Sequence, residues 1–568
     1  MDHVEPQPSD AQPEGKQPFH IRLFNHHAFV PSAIFAILIA ILAISSQFAE
    51  RPPTIVSITP DVAFPGDVMV ITGSGFGDER KGSEVSIAGV RLTSSSYLEW
   101  SDRQISVRIP QDVGSGDVIV TTASGSSKGV QFTNREHIPI VVSGPAMPGQ
   151  PYIDHIEPES GAVGTLVTIR GANFGLEQGN GRVHFAFGGS QTLVLTESDD
   201  TAHSVQASDQ DFDYELWSDN EIKVYVPDGA SPGGLKVSTE RGVSNGVYFE
   251  VLSPAGSKLF VEKKGYQIQY EIDIRNVRAD GKNSIDLWVP SVYESLEQRG
   301  VEYLHEPAPL WDNYRGVMRY RLENIEPQEL IRLIQTAWFE RYAVETRITE
   351  SKVTREYDKE RRLYKVYTVK DSIVPSEADV IVKEAKSVVR GETNPYIKAR
   401  KIYQYLIENL KYDSGLSGTD VLEYFRQKRA DAYTYTILYC AFLRASGIPA
   451  RPVAGFLVYG NKQSKRHYWA EFYLEKFGWV PVDLALGAGF TPPGFPSQGD
   501  PETYYFGNLD NQHISFSRGL IDIKAIDPYG KTTMKDRMYS FQTIHEEVSS
   551  NIEGYTTVWH DINVIDWW

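Results

Sequence analysis

The chain has 568 residues, too many for one compact core, so three or four domains are expected. A net charge of −18 excludes the basic footprint of a nucleic-acid-binding surface, and the single cysteine, Cys440, excludes an internal disulfide or a Cys-based metal site. No acidic calcium loop or phosphate-cradling glycine loop is present in a convincing context, so neither metal nor cofactor is expected.

Residues 1–27 read as a disordered cytoplasmic tail, polar and interrupted by Pro6, Pro8, Pro13 and Pro18. From Ala28 to Ala49 the chain carries no charge, and a helix of about 20 residues spans a bilayer core. Lys16 and Arg22 precede this run, which places the N-terminus in the cytoplasm and residues 50–568 outside. Ser46-Gln47-Phe48-Ala49 lacks a clean small-x-small cleavage site, so the segment is expected to stay as a single-pass anchor at 28–49.

Two blocks then repeat. Pro53-Thr54-Ile55-Val56-Ser57-Ile58-Thr59-Pro60 returns as Pro151-Tyr152-Ile153-Asp154-His155-Ile156-Glu157-Pro158. Gly66 to Gly77 returns as Gly164 to Gly175, and Trp100-Ser101-Asp102 as Trp217-Ser218-Asp219. Short alternating strands between Gly and Pro turns predict two all-β sandwiches at 52–134 and 151–252. These blocks resemble IPT/TIG domains, which are immunoglobulin-like. The second carries an insertion at about 196–215, expected as a surface loop, and the Pro/Gly linker 134–150 suits a semi-rigid spacer.

Residues 256–370 read as a further β-sandwich, with Tyr266 to Ile274 alternating strictly. Helices are predicted from Ser376-Glu377-Ala378-Asp379 and from Asn394-Pro395. A buried helix follows over 431–446, with Asp431 as N-cap, Gly447 as C′ residue and Pro449 forbidding continuation. Strands are predicted at 451–459, 468–474 and 479–482. The Lys476-Phe477-Gly478 turn makes the last two a hairpin that brings His467 and Asp483 to the same end.

The succession Ala430-Asp431-Ala432, Gly447-Ile448-Pro449-Ala450-Arg451, His467-Tyr468-Trp469-Ala470-Glu471 and Gly478-Trp479 to Asp483 resembles the bacterial transglutaminase-like superfamily, with its papain-like α+β core. There the first element reads Gly-Asp-Cys, so the resemblance puts the nucleophile at Ala432, which has none. His467 and Asp483 match the rest of the triad, in which the Asp would fix the imidazole tautomer. Asp431, Tyr433, Trp469 and Trp479 are candidate cleft residues. Cys440 lies eight residues along the helix on a different azimuth and cannot substitute, and Thr434 is off the required face.

The fold expected is therefore multidomain: one membrane helix, two immunoglobulin-like sandwiches, a further β-sandwich at 256–370 and a papain-like transglutaminase core at 371–568. The anchor at 28–49, together with the resemblance to a bacterial superfamily, implies a protein of the bacterial inner membrane, its bulk periplasmic or extracytoplasmic. Three functions follow. The first is a pseudoenzyme that binds a protein, a peptide or an envelope polymer such as peptidoglycan without turnover. The second is a cysteine-type transglutaminase or peptidase in Cys-to-Ala form, or one hydrolysing through His467 as a base on water. The third is a purely structural envelope scaffold.

Overall fold

Repeated residues make repeated contacts in the two sandwiches. A computed structural model describes residues 52–63, 65–110, 113–134, 149–187, 204–496 and 498–568. The expected anchor at 28–49 and its tail lie outside the described residues, and among those described no helix is long and apolar enough to cross a membrane. The chain divides into two units, Met1–Pro139 and Ile140–Trp568.

In the first unit, strands Thr54–Thr59, Val68–Ser74, Gln104–Arg108 and Tyr97–Trp100 form one sheet. In the second unit Tyr152–Glu157, Leu166–Ala172, Glu221–Tyr225 and Tyr214–Trp217 form its counterpart in the same order. The repeated Trp-Ser-Asp is a loop clamp. Trp100 Nε1 donates to the carbonyl of Gly77 at 3.0 Å and Trp217 Nε1 to that of Phe174 at 3.1 Å. Asp102 and Asp219 each accept a backbone N–H, from Gly77 and Gly175, at 3.0 Å. The repeated Gly171 has no room for a side chain, since a Cβ there would meet the Tyr152 carbonyl oxygen at 1.9 Å.

The insertion in the second sandwich is not a free surface loop where it is described. Ser204–Gln206 pairs with Arg182–Ala186, and the following turn is a domain junction. Asp213 meets Arg361 at 3.3 Å, Asp211 pairs with Arg451, and Asp228 accepts from Lys258 at 2.5 Å and from the Trp479 N–H at 3.0 Å. This repeat is thus built onto the C-terminal half rather than spaced from it.

The third sandwich contains β1 (Gly256–Ala279), β2 (Ser284–Pro290), β3 (Gln298–Glu306), β4 (Trp311–Tyr314), β5 (Val317–Glu323) and β6 (Ile331–Ile348). The core follows with α1 (Asp379–Val388), α2 (Pro395–Asn409), α3 (Ala432–Ala445), β7 (Ala450–Tyr459), β8 (Gln463–Leu474), β9 (Gly478–Val482) and β10 (His513–Arg518). The chain then returns to the sandwich with β11 (Lys531–Thr533), β12 (Glu546–Val548), β13 (Ile552–Trp559) and β14 (Asn563–Trp567). One sheet runs β3-β6-β1-β13 with β14 also on β1, and the other runs β4-β5-β2-β12-β11.

The expected division at 370 therefore does not separate two contiguous stretches. An unpaired β1 edge would leave buried amides without partners, and residues 552–567 supply them. This also places the C-terminal tryptophans. Lys264 Nζ sits 3.6 Å over the Trp567 ring, and the Trp568 N–H donates to the Gly265 carbonyl at 3.1 Å.

The core sheet has the order β9-β8-β7-β10, and α3 packs on β7 and β8. Every residue of α3 from Ala432 to Arg444 is buried, as its all-round apolar sequence demands. Asp431 caps it by accepting from the Thr434 N–H at 3.0 Å. Gly447 at φ +75° ends it, with the Ile448 N–H returning to the Leu443 carbonyl.

Candidate functional site

A short hairpin and a glycine assemble the site. β8 and β9 pair from Ala470↔Val482 to Leu474↔Gly478, so His467 and Asp483 lie just beyond the same end of the ladder. His467 Nε2 stands 2.5 Å from Asp483 Oδ2, and both residues are buried. Across β8, His467 is opposite Gly455 of β7. A Cβ on Gly455 would meet the Ile514 carbonyl oxygen at 1.9 Å, so glycine lets β10 lie close.

That approach brings in a second histidine. His513, wholly buried at the start of β10, has Nε2 3.0 Å from the same Asp483 Oδ2 and Nδ1 2.8 Å from Asp510 Oδ1. The chain continues to Tyr505, whose hydroxyl donates to Asp510 Oδ2 at 2.9 Å. Asp483 Oδ1 accepts the Leu486 N–H at 3.0 Å. Burial alone would raise the Asp483 carboxyl, but His467 and His513 outweigh it and hold the group well below the usual carboxylate range. Burial likewise works against a charge on His513, yet Asp510 and Asp483 lift it to about 9.

Ala432 begins α3 and presents only a methyl group. Its neighbour Tyr433 meets Tyr468, the neighbour of His467, with ring centroids 5.2 Å apart, which ties the start of α3 to β8. Asp431 is committed elsewhere, to the Thr434 cap and to Arg537 Nη1 at 2.5 Å. Thr434 donates its own hydroxyl to Asp431 at 2.8 Å and is wholly buried. Cys440 is wholly buried as well, and burial pushes its thiol up to about 12, the opposite of a reactive cysteine.

Aromatic rings cover the pair. Trp469 and Phe490 lie on the His467 ring with centroids at 6.4 and 6.2 Å, and Tyr412 stacks on Phe490 at 4.7 Å. Tyr412 also lines a pocket of about 490 Å³ with Lys411, Asp413, Ser414 and Arg429, immediately upstream of position 432. Trp469 is therefore a wall of the site, and Tyr433 packs beneath Arg537 at 4.5 Å. Trp479 is not a cleft residue. It stacks on the Arg451 guanidinium at 3.8 Å and against Tyr367 and Tyr473, at the junction with the second sandwich.

His513, Asp510, Phe490 and Tyr412 were not identified from sequence. The i,i+3 spacing Asp510-Asn511-Gln512-His513 is the one local signal that could have drawn attention to the first two. Among the described residues, two sets of side chains have spacing that could hold a metal ion: His467, Asp483 and His513, and Glu271, Asp273 and His560. In the first, the ligand atoms hydrogen-bond one another directly, and in the second Arg332 holds Asp273 at 2.7 and 3.1 Å.

The Transglutaminase-like superfamily profile matches residues 383–484, and the IPT/TIG domain profile matches 53–134 and 151–251. The chain has a transglutaminase-like core and two IPT/TIG domains. An uncharacterized protein of Haemophilus influenzae is 30% identical over 173 residues, which are 25% of this chain and 47% of that relative. The chain thus spans about half of its length. A solved structure of a candidate cysteine protease from Cytophaga hutchinsonii covers 55% of this chain and 93% of its own, at 15% identity and TM-score 0.37. The periplasmic domain of TgpA from Pseudomonas aeruginosa covers 41% and 88%, at 12% identity and TM-score 0.22.

Proposed function

We propose that this protein is a membrane-anchored, extracytoplasmic transglutaminase-like pseudoenzyme. It holds a peptide or an envelope polymer, or a partner protein, at the cleft around His467 without turnover. One observation carries the reading: the His467–Asp483 pair is complete and buried, while the residue that begins α3 is Ala432. Without a thiol or hydroxyl there, acyl transfer loses its covalent first step. What the site keeps is an oriented imidazole under an aromatic cover, beside an open pocket, which is equipment for binding. The anchor at 28–49 would tether this cleft outside the bilayer, and fractionation of the full chain against a form lacking 1–49 tests that part.

The second reading, hydrolysis with His467 as base on water, is favoured by one feature. Among the described residues no hydrogen bond engages His467 Nδ1, the nitrogen left over from Asp483.

The deciding experiment restores the thiol. In Ala432→Cys with Cys440→Ser, alkylation rate against pH reports the new thiol, with and without His467→Ala. A thiol more acidic than the ordinary value of about 8.5, and dependent on His467, supports a cleft that lost only its nucleophile. An ordinary thiol indifferent to His467 sinks the reading in favour of a scaffold. Turnover of an amide substrate by the unsubstituted chain would favour hydrolysis.

A further inference from the structure

We propose that the open pocket beside Tyr412 is an anion-binding subsite of the cleft and that the ligand it takes is an acidic peptide, its carboxylates meeting Lys411, Lys428 and Lys465 around the Tyr412–Phe490 stack. The inference deepens the functional reading above and rests on its placement of a binding cleft around His467.

The chain carries 74 acidic against 56 basic residues, and this pocket reverses the balance. Lys411 and Arg429 are direct partners in a short parallel ladder, Lys411–Tyr412 on Arg429–Ala430, and both line the pocket. Like charges set side by side repel, so folding alone gains nothing from this pairing. The Lys411 N–H donates to the Lys428 carbonyl at 2.9 Å, which brings a third cation to the same rim. Lys411, Lys428 and Arg429 are all exposed. The one carboxylate in the lining, Asp413, is already committed, accepting from Arg429 Nε at 2.7 Å and from the Gly415 N–H at 2.9 Å. Nearby arginines have carboxylate partners, Arg426 in Glu423 and Arg466 in Asp561. Among the described residues no ion pair engages Lys411, Lys428 or Lys465.

Aromatic rings link this rim to the histidine. Tyr412 stacks on Phe490 at 4.7 Å, Phe490 lies on the His467 ring at 6.2 Å, and Lys465 Nζ stands 5.1 Å from the centre of the Phe490 ring. Positive charge therefore stands on both sides of a two-ring stack. A compact anion such as phosphate is best gripped by a guanidinium fork, and Arg429 has given its fork to Asp413. Lysines are separate point charges on long stems. Set around flat rings, they suit an extended chain that carries several carboxylates with amide and apolar surface between them. The volume of about 490 Å³ lies within the range of about 300–1,000 Å³ usual for ligand pockets.

The experiment measures fluorescence anisotropy of two hexapeptides, all-Glu and all-Gln, each carrying the same neutral dye, on the full chain in a non-ionic detergent. Inorganic phosphate is added as a competitor. The variants are Lys411→Glu with Lys428→Glu, and Lys465→Glu alone. Lys524→Glu reverses an exposed lysine of another segment and controls for overall charge.

The all-Glu peptide should bind and the all-Gln peptide should bind at least about tenfold more weakly. The double reversal should lower all-Glu affinity by about tenfold or more, Lys465→Glu by less, and Lys524→Glu hardly at all. Binding should also weaken as salt rises, since exposed charges are screened over about 8 Å at physiological ionic strength. Equal binding of the two peptides, or all-Glu binding indifferent to the reversals at 411 and 428, overturns the proposal. Displacement of the peptide by phosphate at matched concentration overturns the peptide assignment in favour of a compact anion. The restored-thiol experiment reads a different atom, so the two failures are distinguishable. An ordinary thiol with charge-dependent peptide binding sinks the cleft reading alone, and an acidic thiol with indifferent binding sinks the subsite alone.

Discussion

Removing the charge of Asp211 should loosen the second immunoglobulin-like domain from the transglutaminase-like core. Arg451 is completely buried, shares one side of its guanidinium with Glu471 at 2.7 Å and the other with Asp211, and lies on the Trp479 ring at 3.8 Å. Breaking a fully buried pair costs about 3–5 kcal/mol. The Asp211 side chain is 21% exposed, and Glu471 remains to compensate the arginine, so Asp211→Ala should cost nearer to ~2 kcal/mol.

A double-mutant cycle isolates the interaction: Asp211→Ala, Arg451→Met and the pair, each unfolded in urea. A coupling of about 2 kcal/mol is expected, with the double variant closer to Arg451→Met than additivity allows. Hydrogen exchange should report faster opening of strand Glu221–Tyr225 in Asp211→Ala. Coupling below ~0.5 kcal/mol would refute the reasoning and return this domain to the role of a loosely held spacer.

Phe490→Ala should uncover His467 and raise its reactivity toward an imidazole acylating reagent several-fold, followed by mass spectrometry of the 467-containing peptide. Unchanged reactivity would mean that Trp469 and Tyr412 suffice to cover the ring. The pH dependence of stability has its own signature. Because the folded state lifts His513 from its ordinary 6.5 to about 9, its stabilisation is complete below about pH 6.5 and is lost as pH rises through about 9. Urea midpoints measured from pH 6.5 to 10 should show this alkaline decline, and His513→Gln should flatten it. Gly171→Ala should disrupt the second immunoglobulin-like domain by several kcal/mol, since the added methyl meets backbone rather than a flexible side chain, and loss of its strand protection in hydrogen exchange checks it.

Local chemistry made much of this protein readable in advance. Asp431 and Gly447 bracket α3 because a cap and a left-handed turn are decided within a few residues. The repeated Trp-Ser-Asp marked the two immunoglobulin-like domains because each copy closes its own loop. The hairpin bringing His467 to Asp483 spans only 16 residues and one turn, so the turn placed both at the same end and the resemblance to the superfamily marked them as a pair.

What the sequence could not supply are partners chosen across the fold. His513 joins Asp483 only because β10 lies against β7 at Gly455, and strand order is settled by which buried faces fit, not by spacing. Asp211 looks like any polar loop residue until it meets an arginine 240 positions away. The division expected at 370 misplaced the sandwich for the same reason, since the open edge of β1 is closed by strands nearly 300 residues further on. Short-range hydrogen bonds are written into neighbouring residues. The desolvation that gives distant charges and open strand edges their partners exists only once the chain has packed.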